Sequence, residues 1–268
     1  MSEKRKALIT GASAGIGAEF ARQLAARGYD LVLVARRKER LEQLAESIKL
    51  KYGVDADVIP ADLSIDEGIA QIEEFIQNCE NLEILVNNAG FGIPGGFITE
   101  DIKLTLSMVW VHVIAPVRLT RAALPLMIEN RSGYIINVSS ISAFSAATGS
   151  STYSATKGYL NNFCEGLAVE CLNTGVKIQA LCPGFTYTEF HDTPEYKPYR
   201  IKDRLPRMFW MTSEAVVRRS LNALKGSKVI IIPGLGNQLI AFAGRMGLVA
   251  FLMRFFMAVT GRRFVDMD

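Results

Sequence analysis

Short apolar runs alternate along this chain with segments of helical length, and this alternation limits the possible folds more than any single motif. The runs lie at 7–10, 31–35, 56–61, 84–86, 134–138, 177–181 and 229–232, and they are near-continuous in Val, Ile and Leu. Strands covered on both faces read this way, because neither side alternates with solvent. Between them lie segments of helical length at 18–26, 40–51, 65–78, 103–129 and 152–173. Strand and helix in strict alternation predict an α/β fold: a doubly wound parallel sheet of seven strands with helices on both faces. No Pro/Gly/Ser-rich linker divides the 268 residues, so one domain is expected over 1–268. The long irregular stretch at 189–211 carries Pro194, Pro198 and Pro206. A loop of that length inside a compact domain is often a lid or binding loop.

Composition excludes several classes. A hydrophobic content of 49% with 21% charged residues describes a folded chain rather than a disordered one. The net charge of +3 is small and the cations are scattered, which argues against a nucleic-acid partner. Cys79, Cys164, Cys171 and Cys182 match neither a zinc pattern nor CxxC, so no metal is expected, and reduced, buried thiols in a cytoplasmic protein are. Residues 1–6 run directly into the first apolar strand, leaving no room for the apolar core of a signal peptide.

The first turn reads Thr10-Gly11-Ala12-Ser13-Ala14-Gly15-Ile16-Gly17. It follows a strand and opens a helix, the context in which glycines admit a pyrophosphate to a positive helix N-terminus. The spacing is GxxxGxG. After the second strand, where folds that bind NAD usually place an acid against the ribose 2′-hydroxyl, this chain has Arg36 and Arg37. Guanidinium groups suit a 2′-phosphate, so NADP is expected over NAD. Cations at a helix start oppose its dipole, which calls for some such reason for their presence.

Tyr153 and Lys157 are spaced i, i+4, which on a helix stacks a phenol beside an ammonium. A neighbouring cation favours the phenolate and suits the tyrosine to proton transfer with an alcohol oxygen. Further motifs stand at strand ends, where ligands bind in open α/β sheets. These are Asp62-Leu63, Asn87-Asn88-Ala89-Gly90, Ser139-Ser140, and Pro183-Gly184 with Thr186 and Thr188. In their order and spacing, from about Lys6 to Gly234, they resemble the short-chain dehydrogenase/reductase family. The resemblance implies a Rossmann-type fold and a hydride exchanged between NADP and an alcohol or carbonyl carbon. It implies adenine contact at Asp62-Leu63, a cofactor-contacting turn at Asn88-Ala89-Gly90, and a nicotinamide-side role for Pro183, Gly184, Thr186 and Thr188. It further implies Tyr153 as acid/base, Lys157 lowering its pKa and holding the nicotinamide ribose, and Ser140, 13 residues before the tyrosine, bonding the substrate oxygen. Homodimers or homotetramers through the helices at 103–129 and 152–173 are implied by the same likeness. An NADP-binding regulator without turnover, or an epimerase or dehydratase, fits the same fold.

One position departs from the family. His112 stands four residues before Pro116, where the family usually carries an asparagine whose helix bend frees a carbonyl for a water leading to the lysine. Three readings fit the imidazole: a local hydrogen-bonding group, a titrating part of a proton path, or a tolerated replacement whose backbone does the essential work. On the substrate side, Phe190, Tyr196, Tyr199, Phe209 and Trp210 in the long loop, with Phe144, suggest an apolar cover for a hydrophobic small molecule. The tail at 239–268 opens with a 21-residue stretch (239–259) that is apolar or small apart from Arg245 and Arg254. Three readings fit it: packing against a partner subunit, a substrate lid, or membrane-surface contact through 239–263.

Overall fold

A computed structural model describes residues 4–145, 151–193, 196, 206–247, 251–252 and 254–255. The strands in chain order are β1 (Lys6–Thr10), β2 (Asp30–Ala35), β3 (Ala56–Pro60), β4 (Leu82–Asn87), β5 (Gly133–Val138), β6 (Val176–Leu181), β7 (Thr186–Tyr187), β8 (Met211–Thr212) and β9 (Ile230–Ile231). The helices are α1 (Gly15–Ala25), α2 (Lys38–Tyr52), α3 (Asp66–Gln77), α4 (Ile102–Val109), α5 (Ala115–Glu129), α6 (Ser151–Glu170), α7 (Ser213–Ala223) and α8 (Leu235–Arg245). Seven strands pair in the order β3-β2-β1-β4-β5-β6-β9, every neighbour parallel.

The alternating faces of each strand feed two cores. Ile9, Leu33, Val86 and Ile136 point toward Phe20 and Leu24 of α1, Leu41 of α2, and Val217 of α7. Leu8, Val32, Leu85, Ile135 and Ile178 point toward Ile72 of α3, Leu119 of α5 and Cys164 of α6. The near-continuous apolar strands of the sequence are thus strands covered twice. The order reverses between β1 and β4, the crevice where doubly wound sheets take ligands. The Thr10 hydroxyl bridges it, donating to the Val86 carbonyl (3.3 Å) and accepting from the Asn88 and Ala89 amides (2.9 and 3.0 Å).

Two sequence expectations are corrected. The helix predicted over 103–129 is interrupted by a π-helical turn at Trp110–Ile114. Pro116 has no N–H for the carbonyl four residues back, so regular α-helical bonding fails here, and such π-turns gather at functional sites. The loop predicted over 189–211 ends one residue early, because Met211 and Thr212 pair with Thr186 and Tyr187 and pin its base. At the apolar stretch α8 begins at Leu235 and stops at a turn where Gly247 takes φ +69°, a backbone region glycine enters freely. Tyr199 and residues 256–268 lie outside the described residues. By length and composition the segment Ile102–Glu129 is apolar enough to cross a membrane, yet its α5 part packs Leu119, Ala123 and Met127 into the second core.

Candidate active site

The serines after β5 separate by strand geometry, since successive side chains point to opposite sides. Ser139 turns inward and donates to the Lys157 carbonyl at 2.9 Å. Ser140 points the other way and hydrogen-bonds the Tyr153 phenol. Its oxygen also accepts from the Ser142 amide (3.1 Å), which fixes the turn after the strand. The choice of Ser140 from spacing therefore has a geometric counterpart.

Tyr153 and Lys157 share one face of α6. The Lys157 ammonium is 5.7 Å from the centre of the Tyr153 ring and donates to the Val138 carbonyl at 2.9 Å. Lys157 is buried, and burial pulls its amine down to about 8. Burial pushes the phenol up to about 12, while the Ser140 hydrogen bond pulls it back. With the amine turned onto a backbone carbonyl, desolvation wins and the phenol holds its proton.

His112 sits in the π-helical turn and is buried. Its Nε2 accepts from the Phe91 amide at 3.2 Å, and its Nδ1 lies 3.0 Å from the Thr156 hydroxyl. That hydroxyl donates to the Tyr153 carbonyl at 2.8 Å, so it accepts from Nδ1–H. Both ring nitrogens are committed and the ring is neutral. Burial, then the nearby Lys157 charge, holds its pKa well below the usual histidine value. Of the three readings of His112, the ring's two hydrogen bonds match the local hydrogen-bonding one. The ring clamps the turn after β4 to the helix that carries Tyr153, and Gly90 gives it room: a Cβ there would come within 2.8 Å of Nε2.

An asparagine also offers one donor and one acceptor, but these reach only as far as the ring's Nδ1 and fall short of the Phe91 amide. His112→Asn is therefore expected to keep turnover within about tenfold, the range of one lost hydrogen bond. His112→Ala, which orphans the Phe91 amide, is expected to lose about 1–3 kcal/mol of stability. Acid also separates the forms. Below 6.5 the unfolded chain protonates this histidine and the folded chain does not, so the parent loses stability as pH falls, by at most about 2 kcal/mol near pH 5. The Asn variant lacks that loss, so the Tm gap between the two should narrow in acid. Thermal unfolding at several pH values reads it.

The glycine-rich turn forms a seat with the features a pyrophosphate needs. Gly11 and Gly15 take φ of +66° and +55°, a region disfavoured for residues with a Cβ. A Cβ on Gly17 would lie 2.3 Å from the Gly11 carbonyl oxygen, and one on Gly15 would meet Thr188 at 3.0 Å. No side chain caps the first turn of α1, and no acidic residue lies in it. Its amides are free to meet an anion. Asn88 braces the turn by donating to the Thr10 and Gly11 carbonyls (2.9 and 3.3 Å). Ile16 packs on the first core. The fit to a dinucleotide rests on this cradle.

The other quoted motifs ring the same crevice. Asp62 accepts from the amide and hydroxyl of Ser64, and Leu63 is buried behind it. Thr186 donates to the Gly184 carbonyl (3.0 Å), and the Thr188 hydroxyl accepts from the Phe190 amide (3.3 Å). Gly184 follows Pro183 and lies against Asn237 of α8, so close that a Cβ would fall 2.1 Å from its Oδ1. Arg36 is exposed. Arg37 reaches back to the Ser13 hydroxyl (3.2 and 3.0 Å) and across to Glu189 (3.0 Å), which also takes Arg40 at 2.6 Å. In the loop, Phe190 faces the site, 6.0 Å from the Tyr153 ring, and Tyr196 backs it at 5.3 Å. Trp210 instead stacks on Tyr187 and packs the loop down.

Sequence reading missed Thr156, Asn237 and Glu189 as parts of the site. Thr156 left a signal, being three residues from Tyr153 and one before Lys157. The other two depend on contacts between distant segments and left none.

Residues 5–197 match the family model described as short chain dehydrogenase. An uncharacterized oxidoreductase of Bacillus subtilis is 37% identical over 205 residues, covering 75% of this chain and 84% of that protein. A short-chain dehydrogenase from Sphingobium yanoikuyae, solved in complex with NADPH, superposes with a TM-score of 0.81 at 32% identity, over 92% of this chain and 95% of that one. The bulky-bulky ketone specific alcohol dehydrogenase of Comamonas testosteroni gives 0.77 at 30%, over 92% and 94%.

Proposed function

The chain belongs to the short chain dehydrogenase family and is an oxidoreductase that uses NAD(P) on CH–OH or carbonyl groups, and on that premise we propose that it is an NADPH-dependent reductase of hydrophobic ketones. The observation that carries the reading is the hydrogen-bonded Ser140–Tyr153 pair with Lys157 on the same helix face, at the strand ends beside the glycine cradle. Bound NADPH supplies the hydride. Ser140 and Tyr153 present two hydroxyls to one carbonyl oxygen, orienting it and polarising the C=O bond. A phenol held protonated by burial is the form that donates as negative charge grows on that oxygen. The buried Lys157 amine, with a pKa near 8, stands ready to steady the phenolate left behind. Phe190 and Tyr196 exclude water and favour an apolar substituent. The bulky-ketone specificity of the Comamonas enzyme supports that choice of substrate. A protein that only bound the cofactor would have no use for a desolvated amine beside a phenol. Exposed Ile102, Leu106, Tyr159 and Leu172 on α4, α6 and the turn that follows it support self-association through these helices.

Preference for the 2′-phosphate rests on Arg36, Arg37 and Arg40, and the NADPH complex of the Sphingobium relative supports it. Glu189 now bridges two of these arginines, its carboxyl held below the usual range by Arg40 and then Arg37. A 2′-phosphate would compete with that carboxylate. The bridge is solvent-exposed and so worth at most about 1 kcal/mol. Glu189→Gln is therefore expected to tighten NADP+ binding by about two- to fivefold and to leave NAD+ binding unchanged, read by calorimetry. Weaker NADP+ binding would mean that Glu189 helps hold the cofactor.

A further inference from the structure

Helix α8 has two faces of opposite character. Asn237, Ala241 and Gly244 are buried. They seat the helix on the site: Asn237 against Gly184, and Gly244 against the turn after Ser140, where a Cβ would fall 2.4 Å from the Phe144 carbonyl oxygen. The other face carries Leu235, Leu239, Phe242 and Met246, spaced four, three and four residues apart and therefore in one stripe. These side chains are 79%, 70%, 63% and 70% exposed. Beyond the Gly247 turn, Phe251 and Phe255 are exposed as well, their rings 6.4 Å apart. Exposed apolar surface on this scale calls for an occupant.

Charge identifies that occupant. From 235 to 265 the chain has four arginines (Arg245, Arg254, Arg262 and Arg263) and no Asp or Glu. A symmetric contact between two copies places the same surface on both sides, so it would bring arginines toward arginines with no carboxylate in the stretch to answer them. An anionic lipid surface offers phosphate headgroups to the arginines and acyl chains to the stripe, the pairing that holds interfacial helices. We propose that the outer face of α8 docks this protein on an anionic membrane surface and sets the mouth of the site against the lipid. Arg245 links the two, since its guanidinium lies 4.6 Å over the Phe144 ring, four residues after Ser140. The ketone then enters from the bilayer. This last step rests on the hydrophobic-substrate reading above; the docking itself does not.

The test is flotation of the full-length protein with vesicles of phosphatidylcholine alone or mixed with phosphatidylglycerol. The parent and Tyr153→Phe should both float with the mixed vesicles, roughly tenfold or more above phosphatidylcholine alone. The Leu239→Ser/Phe242→Ser double variant should stay at the bottom while unfolding at the parent temperature and reducing a water-soluble ketone at the parent rate. Failure of the folded parent to float, or equal flotation with both vesicle types, would overturn the proposal. So would a double variant that changes only the mass seen in light scattering, because the face would then join two copies. Flotation of a parent that reduces no ketone would keep the docking and refute the reductase reading.

Discussion

Tyr153→Phe is expected to lower kcat for ketone reduction by about 10²- to 10⁴-fold, the range of a positioned general acid. The phenyl ring keeps its packing against His112 and Phe190, whose ring centres lie 5.6 and 6.0 Å away. Only the proton donor and the partner of the Ser140 hydroxyl are lost. Stability should therefore fall by no more than about 1 kcal/mol, the net worth of one hydrogen bond, and NADPH affinity should hold. A loss in kcat with KM and cofactor binding retained marks an interaction made chiefly in the transition state. Near-parent turnover in this variant would move the proton donor elsewhere.

The second large effect lies in the glycine turn. A Cβ on Gly17 would stand 2.3 Å from the Gly11 carbonyl oxygen and 2.5 Å from the Asn88 amide nitrogen. The first is backbone and cannot swing aside. The second is held by its bonds to Thr10 and Gly11. Gly17→Ala must therefore open the turn from the helix behind it. NADP+ affinity is expected to drop by about 100-fold or more, near 2.7 kcal/mol, with about 1–3 kcal/mol lost in stability from overpacking. Gly28→Ala is the control. It has positive φ (+83°) but nothing within 4 Å of an added Cβ, so it should cost stability through backbone strain and leave NADP+ binding intact. Calorimetry and thermal unfolding separate the two variants.

The fold was legible because its strands are covered on both sides. Runs such as Leu31–Val34 carry one message, burial, wherever they are read, so all seven sheet strands fall where the pattern puts them, with ends moved by a few residues at most. The short β7–β8 pair was hidden, since two residues per strand leave no period to see. The π-turn at Trp110–Ile114 was hidden for a related reason. Apolar residues continue through it at helical density, and only Pro116 betrays the break. Within the site, residues that act through fixed local spacing were readable: Gly11 to Gly17, Ser140 to Tyr153, and Tyr153 to Lys157. What escaped depends on distance in sequence. Glu189 reaches Arg37 across 152 residues, and no local pattern encodes that contact. The i, i+4 spacing places the amine beside the phenol but says nothing of the Val138 carbonyl that claims it.

Reduction of carbonyls with NADPH is the activity proposed for this site. The measurement that meets it most directly follows the nicotinamide absorbance of NADPH and of NADH over a panel of bulky, apolar ketones, with the alcohol product quantified. NADPH oxidation matched mole for mole by alcohol, at a kcat/KM about tenfold or more above that with NADH, is the expected result, since one 2′-phosphate contact with arginine contributes on the order of 1.5–3 kcal/mol. Tight NADPH binding without turnover of any ketone would contradict the claim and leave a protein that binds the cofactor for another purpose.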